Sequence, residues 1–425
     1  MNVILQAWAA TPSVVRWLEE WLNKNKDNVG KGSLAPHLLH TLHVVNQVED
    51  EPDDVHSPAS IIGALRSHRW IISHEQQDAH ELFNVLTTTL DEQSKSYPST
   101  PSCFDLHALQ MSQRSGSGGN QEPVPVPHML RNRDNDSPFR MLIASQMECI
   151  DCKYRHPVRY DLNSTLSLAF PKTAWKSIKL ESLLQKFITS EIVHNVECPG
   201  CRKVQQQKNK KLIKEGFIED TPKSSCLKRH TIGKLPQCLC LHMQRTQWLD
   251  SGIPLKKYEH VVFPETLHMD DYVYTKCESR NGLLGGKALF GNTVVPLPTV
   301  SPLTSPTSGH LTLLRALNYD SRISTRGLSF QSTPPSPPTA NQQSDINHNS
   351  PKSSQDYTFK LTSVVMHLGD VFSGHFVTYR RSLLRKRGEQ FSSQWLCTSD
   401  HAVKEVSLEE VLATEAYMLF YERES

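Results

Sequence analysis

Gly374-His375-Phe376-Val377-Thr378-Tyr379, followed after a polar stretch by Trp395-Leu396-Cys397-Thr398-Ser399-Asp400, sets an imidazole near the start of an extended segment. The alternation of His375, Val377 and Tyr379 puts those three side chains on one face of a strand. Gly374 removes a side chain immediately before the ring, so another backbone has room to approach. Just upstream, Val364-Val365-Met366-His367-Leu368-Gly369 is β-branched and apolar, and its His367 is read as scaffold.

Moving outward, similar segments recur at Arg159 to Phe170, Gln237 to Met243, Tyr258 to Phe263, Phe359 to Met366 and Tyr417 to Tyr421. Together they predict an antiparallel sheet. The N-terminal part has the other period: Val14, Leu18, Trp21 and Leu22 follow one helix face, and Ala79, Leu82, Phe83, Leu86 and Leu90 follow another. Two packed helical segments and a sheet make an α+β chain.

Two stretches lose all periodicity. One, about 91–140, holds Ser115-Gly116-Ser117-Gly118-Gly119 and Pro123-Val124-Pro125-Val126-Pro127; the other, about 279–356, holds Pro334-Pro335-Ser336-Pro337-Pro338. Both are expected to be disordered insertions, tolerated inside a folded domain because loop-closure entropy grows only logarithmically with length. Ser301-Pro302, Ser305-Pro306, Thr333-Pro334, Ser336-Pro337 and Ser350-Pro351 in the second could be sites of proline-directed phosphorylation.

With 46 basic against 44 acidic side chains, the formal charge of +2 leaves no polyanion footprint, which argues against a nucleic-acid partner. The basic clusters at Lys208 to Lys214 and Arg380 to Arg387 are read as solvated surface. No run reaches the roughly 20 apolar residues that cross a bilayer, and the start lacks a secretory signal, so an intracellular chain without a membrane segment is expected. Ten cysteines in such a chain then point to metal ligation or free thiols.

Four of them are doubled at the spacing of a metal knuckle: Cys149-Ile150-Asp151-Cys152 and Cys198-Pro199-Gly200-Cys201. Two such knuckles supply four sulfurs to a tetrahedral Zn2+, and a closed four-sulfur shell leaves no open position, so the metal would be structural. Gln76-Gln77-Asp78-Ala79-His80-Glu81 sets Asp78 and Glu81 three residues apart, on one face of a helix. From spacing alone this is a solvated acidic face.

Taken together these segments resemble the ubiquitin-specific proteases, cysteine deubiquitinases. The carriers are the Gly-His-aromatic box, the Trp395 to Asp400 segment at the family's distance, the paired knuckles, the Gln-Gln-Asp-x-x-Glu box and Leu235 to Arg245 with Lys257 and Val262-Phe263-Pro264. The opening Met1-Asn2-Val3-Ile4-Leu5-Gln6 resembles the end of the family's nucleophile motif, Asn-Thr-Cys-aromatic-Met-Asn-x-x-Leu-Gln, with Met1 on its methionine.

What the resemblance implies is specific. The fold would be papain-like, with a helical thumb over 1–90, zinc-knuckle fingers over 141–215 and a palm over 216–278 and 357–425. Partners would be ubiquitin and ubiquitinated proteins, with Gln77, Asp78 and Glu81 meeting the arginines of the ubiquitin tail and Gly374 flanking it. His375 would be the general base that forms the nucleophilic thiolate, oriented by Ser399, with Asp400 as the alternative. Serine in that slot accepts a hydrogen bond but brings no charge. The nucleophile position falls ahead of Met1, and none of Cys238, Cys240 or Cys397 is placed to replace it, so the chain as given is expected to be inactive. The serine slot, Gly-His-Phe-Val-Thr-Tyr-Arg-Arg and Arg16-Trp17-Leu18-Glu19-Glu20 resemble a member tethered to the cytosolic face of the mitochondrial outer membrane, a link to mitophagy; its anchor has no counterpart here.

Overall fold

Helix α1 (Asn2–Ala9) is apolar on nearly every side, and Val3, Ile4, Leu5, Ala7, Trp8 and Ala9 are all buried. A helix with no polar face belongs in the middle of a domain, between other elements. It shows no stripe for that reason, and the sequence periodicity passes over it. Around it stand α2 (Pro12–Lys24), α3 (Leu34–Val45), α4 (Ala59–Ser67) and α5 (Ala79–Ser96). Pro12 opens α2, where its missing N–H costs nothing, and Val14, Leu18 and Trp21 turn inward at helical spacing. Among the described residues the thumb thus has five helices where the periodicity marked two, and α5 runs past residue 90 to Ser96. The coordinates are a computed structural model describing residues 1–26, 29–30, 32–49, 56–72, 77–96, 136–171, 177–208, 223–274, 313–315, 357–383 and 394–424.

Most of the two expected insertions, the phosphorylation candidates and the basic cluster beyond Lys208 lie outside the described residues. Within the second insertion, Leu313–Arg315 is a strand, antiparallel to Trp70–Ile72 of the thumb.

The palm is an eight-stranded sheet. In order it runs Ala402–Val406, Trp395–Ser399, Gly374–Arg381, Thr358–Gly369, Ala416–Arg423, Cys238–Gln244 and Leu166–Ala169, with Thr266–His268 also paired to Thr358–Gly369. Successive residues go to opposite faces. Cys238, Cys240, Val365, Met418 and Phe420 pack on the thumb helices, while Leu239, Leu241, Met243, Val364, Leu419 and Tyr421 pack in a second core on the other side. Both faces are covered, so these strands read as continuous apolar runs. Cys238 and Cys240 serve here as small core side chains.

Not every pair is antiparallel. Leu166–Ala169 runs parallel to Cys238–Gln244, and His260–Val262 leaves the palm sheet to pair in parallel with Ser177–Lys179. The segment Arg159 to Phe170 divides at Ser164-Thr165: Arg159–Asn163 joins the fingers and Leu166–Ala169 the palm.

The fingers are a separate sheet, ordered Arg159–Asn163, Met141–Cys149, Lys223–Lys234 and Glu191–Glu197. Lys223–Lys234 pairs on both sides, with Met141–Cys149 and with Glu191–Glu197, so the fingers extend past residue 215.

Candidate active site and metal knuckle

His375 follows the first residue of its strand, and Nε2 lies 2.8 Å from Ser399 Oγ at the end of the adjacent strand. Hydrogen bonding across Gly374–Arg381 and Trp395–Ser399 fixes the second residue relative to the first. Asp400 does not take this place. It turns the chain into the next strand at a φ of 49°, and its backbone carbonyl accepts from Asn2 Nδ2 at 2.9 Å. The start of α1 therefore sits at the same end of the sheet as the His375–Ser399 pair. Thr378 Oγ1 anchors it further by donating to Val3 O at 2.9 Å. Burial lowers the Met1 amine below its ordinary range, against the opposing pull of Asp400.

Asp78 does not share a helix face with Glu81. It precedes α5, and its Oδ1 accepts the Glu81 backbone N–H at 3.0 Å, closing the first turn. Asp-x-x-Glu is also the signature of a capping box, a reading open in the sequence. The second oxygen, Oδ2, accepts from the Tyr417 hydroxyl at 2.5 Å, and burial together with Asp78 pushes that phenol well above its usual range. Two of the four lone-pair directions of the carboxylate are thus used. Gln77 and Glu81 stand half-buried on either side.

Tyr417 is one member of a ladder of rings absent from the sequence reading. His80 stacks on His242 at 3.8 Å, His242 meets Tyr417 at 5.0 Å, Tyr417 meets Phe376 at 5.5 Å, and Phe376 meets His367 at 4.5 Å. The ladder connects the cap of α5 to the hairpin that carries His375. Burial holds His80, His242 and His367 below the ordinary histidine range, so the ladder is neutral. No local motif announces it, because its rings come from four distant segments.

At Gly374 the sequence reading needs correction. A side-chain carbon there would overlap His367 Nε2 and Leu368 O. The glycine is required by the chain's own neighbouring strand, which fills the space assigned to a passing substrate.

Cys149, Cys152, Cys198 and Cys201 converge as their spacing anticipated, all four sulfurs within 4.8 Å of one another. Cys149 and Cys201 are 3.6 Å apart, Cys152 and Cys198 3.5 Å. A tetrahedral zinc with ~2.3 Å bonds sets its sulfurs about 3.8 Å apart, so the set fits that ion. Gly200 is needed in this cradle, since a side-chain carbon there would come within 2.7 Å of Cys152 Sγ. Burial alone would raise Cys149, but the Cys152 backbone and Ser224 hydroxyl outweigh it and draw the thiol down to about 6. Cys201 goes the other way, pushed up by burial and by the crowding sulfurs, a repulsion that a cation relieves.

The remaining described thiols are occupied elsewhere. Cys226 packs beside the knuckle, Cys238 and Cys240 lie in the thumb-facing core, and Cys397 contacts Tyr379. Among the described residues no helix is long and apolar enough to cross a membrane.

A family model described as ubiquitin carboxyl-terminal hydrolase matches residues 1–421. Ubiquitin carboxyl-terminal hydrolase 30 of Homo sapiens is 36% identical over 435 aligned residues, covering 100% of this chain and 82% of that protein. Its Xenopus tropicalis namesake is 34% identical over 443, covering 100% and 79%. The solved SAGA DUB module of Ubp8, Sgf11, Sus1 and Sgf73 bound to monoubiquitin is similar in fold, with a TM-score of 0.56 at 18% identity, 100% of this chain and 66% of that one. Thumb, palm and fingers, the four-sulfur cradle and the family match along nearly the whole length place this chain in the ubiquitin-specific protease family of ubiquitin carboxyl-terminal hydrolases.

Proposed function

We propose that this domain binds ubiquitin and serves thiol-dependent removal of ubiquitin from protein conjugates, through an acyl-enzyme on which His375 acts as base and Ser399 as its orienting partner. The observation that carries the reading is the 2.8 Å contact between His375 Nε2 and Ser399 Oγ, at the end of the sheet where α1 begins. An imidazole bonded on Nε2 leaves Nδ1 for a thiol, and a helix N-terminus beside it favours the thiolate. Ser399 orients the ring without adding charge, so stabilisation of the imidazolium rests on the thiolate it would face, which the helix N-terminus stabilises in turn.

In the family motif the thiol stands two positions ahead of the methionine that Met1 matches. Residues 1–425 alone are therefore proposed to hold ubiquitin without cleaving it, and a chain carrying Asn-Thr-Cys-aromatic before Met1 to cleave it. Gln77, Asp78 and Glu81 are assigned to the arginine-bearing ubiquitin tail; the Asp78 carboxylate is held in place by the Glu81 N–H and by Tyr417. Gly374 contributes backbone only. Zn2+ held by Cys149, Cys152, Cys198 and Cys201 would cross-link the fingers and take no part in the reaction.

A location at the mitochondrial outer membrane belongs to this proposal and rests on the resemblance around Ser399; imaging of the tagged protein tests it. The main test pairs calorimetric titration of residues 1–425 with ubiquitin and a fluorogenic ubiquitin ester assay of the same chain with and without Asn-Thr-Cys-aromatic added ahead of Met1. Binding by both and hydrolysis only by the extended chain are expected. Hydrolysis by residues 1–425 alone would refute the assignment of the nucleophile, and failure of both chains to bind would refute the function.

A further inference from the structure

Lys256 ends the short strand Pro254–Lys256 and is only 7% exposed, an uncommon place for an ammonium. Its Nζ donates to Gly369 O at 2.5 Å and His367 O at 3.0 Å, and lies 3.1 Å from His367 Nδ1. Three donors thus meet three neutral acceptors. An ammonium only donates, so His367 Nδ1 accepts, and the neutral ring carries its proton on Nε2. That nitrogen is the atom a side-chain carbon at Gly374 would overlap.

Both ends of one turn are gripped in this way. Gly369 opens the turn with a φ of 113°, a conformation open to glycine, and Gly374 closes it, the two being register partners. Inside it, Asp370 Oδ1 accepts the backbone N–H groups of Phe372 and Ser373, both at 2.8 Å. Phe372 at its tip is 82% exposed, so little else packs the turn down. The residue after Gly374 is His375.

On its other side Lys256 belongs to a hairpin, paired with Thr246–Trp248, whose Trp248, Leu249, Ile253 and Leu255 are exposed. The ammonium is a buried tie between that apolar hairpin and the histidine turn. The geometry points to Lys256 as a positioning residue for His375: it fixes the Gly369–Gly374 turn, and with it the start of the strand that presents the imidazole to Ser399. This rests on the reading of His375 as the base.

Residues 1–425 carrying Lys256→Met, Lys256→Arg or His367→Phe test it. The readouts are the ring nitrogen resonances of His375, amide exchange at Phe372 and Ser373, and ubiquitin binding. Lys256→Met is expected to shift the His375 ring signals and speed exchange of the two amides by about tenfold, with the fingers amides unchanged. Lys256→Arg, which keeps charge and donors, is expected to restore much of the exchange protection. Wild-type His375 signals and wild-type exchange in Lys256→Met would overturn the assignment. Should that variant fail to fold, His367→Phe keeps a ring against Phe376 while removing the Nδ1 acceptor; unchanged exchange and His375 signals there would overturn it equally. The His375 readout does not require ubiquitin, so an absence of binding in the wild-type chain would count against the proposed function and leave the positioning role decided by the resonances.

Discussion

The fingers and the palm are both β-sheets, yet they are held together by different forces. Palm strands bury side chains on both faces, with the thumb core on one side and the second core on the other. In the fingers, Arg159–Asn163 and Glu191–Glu197 have only half-buried and exposed positions, and the cluster at the far end is built on Cys149, Cys198 and Cys226. Apolar burial, worth roughly 25 cal/mol per Å², is spread over the palm; at the fingertip the four clustered sulfurs would supply a cross-link through the Zn2+ proposed for them. Cohesion in one sheet is spread over many side chains, and in the other it is concentrated at one point.

Metal removal should separate the two most sharply. Purified protein is expected to hold one zinc, and stripping it removes on the order of 10 kcal/mol of local stabilisation. Elemental analysis combined with amide exchange should show Met141–Cys149 and Lys223–Lys234 losing protection at the knuckle end while Thr358–Gly369 keeps it. Uniform loss across both sheets would break the comparison. A metal-free protein with fully protected fingers would break it too.

The opposite lesion is Trp8→Ala. Trp8 is fully buried, tilted against Phe139 at 5.1 Å and edge-on to Phe83 at 5.9 Å. Its removal is expected to cost about 3–5 kcal/mol in denaturant unfolding of the thumb and palm, with zinc content unchanged. A much smaller loss would mean that the thumb core closes over the gap.

The smallest effect sharpens the comparison through pH. Burial raises the Glu422 carboxyl to about 7, against hydrogen bonds from Ser13 N and Oγ that favour the charge. A raised folded-state value means the native state holds this proton more tightly than the unfolded chain. Its contribution is therefore full below about 4.5 and is lost as pH climbs toward 7. Glu422→Gln should flatten the fall in palm stability between pH 5 and 8 by roughly 1–2 kcal/mol, read from denaturation midpoints. The fingers, which this group does not touch, should show no difference.

How much was legible in the sequence follows the same division. The knuckle could be read directly because its ligands come as two short pairs whose spacing is itself the geometry. His375 and Ser399 could be read because neighbouring strands in a hairpin series preserve sequence order. What escaped is long-range or locally ambiguous. The ladder from His80 to His367 exists only once the segments are folded together. Asp78 and Glu81 suit both an acidic face and a cap, and the fold selects the cap. A glycine beside a histidine suggests open space, whereas His367 occupies it. Helix α1 carries no stripe because it has no solvent side.

The parallel pairing of Leu166–Ala169 with Cys238–Gln244 has one more consequence. Adjacent strands running in the same direction must be joined by a crossover, and here that connection contains the helix Leu180–Ile188 and two of the four finger strands. The excursion leaves and rejoins the palm sheet at two neighbouring points, like an appliance plugged into a fixed socket. Leu180–Ile188 stays packed in the second core with Val377 and Trp395, so it is the finger strands of this connection, in their own sheet, whose reach could be changed in a chimera without entering that core.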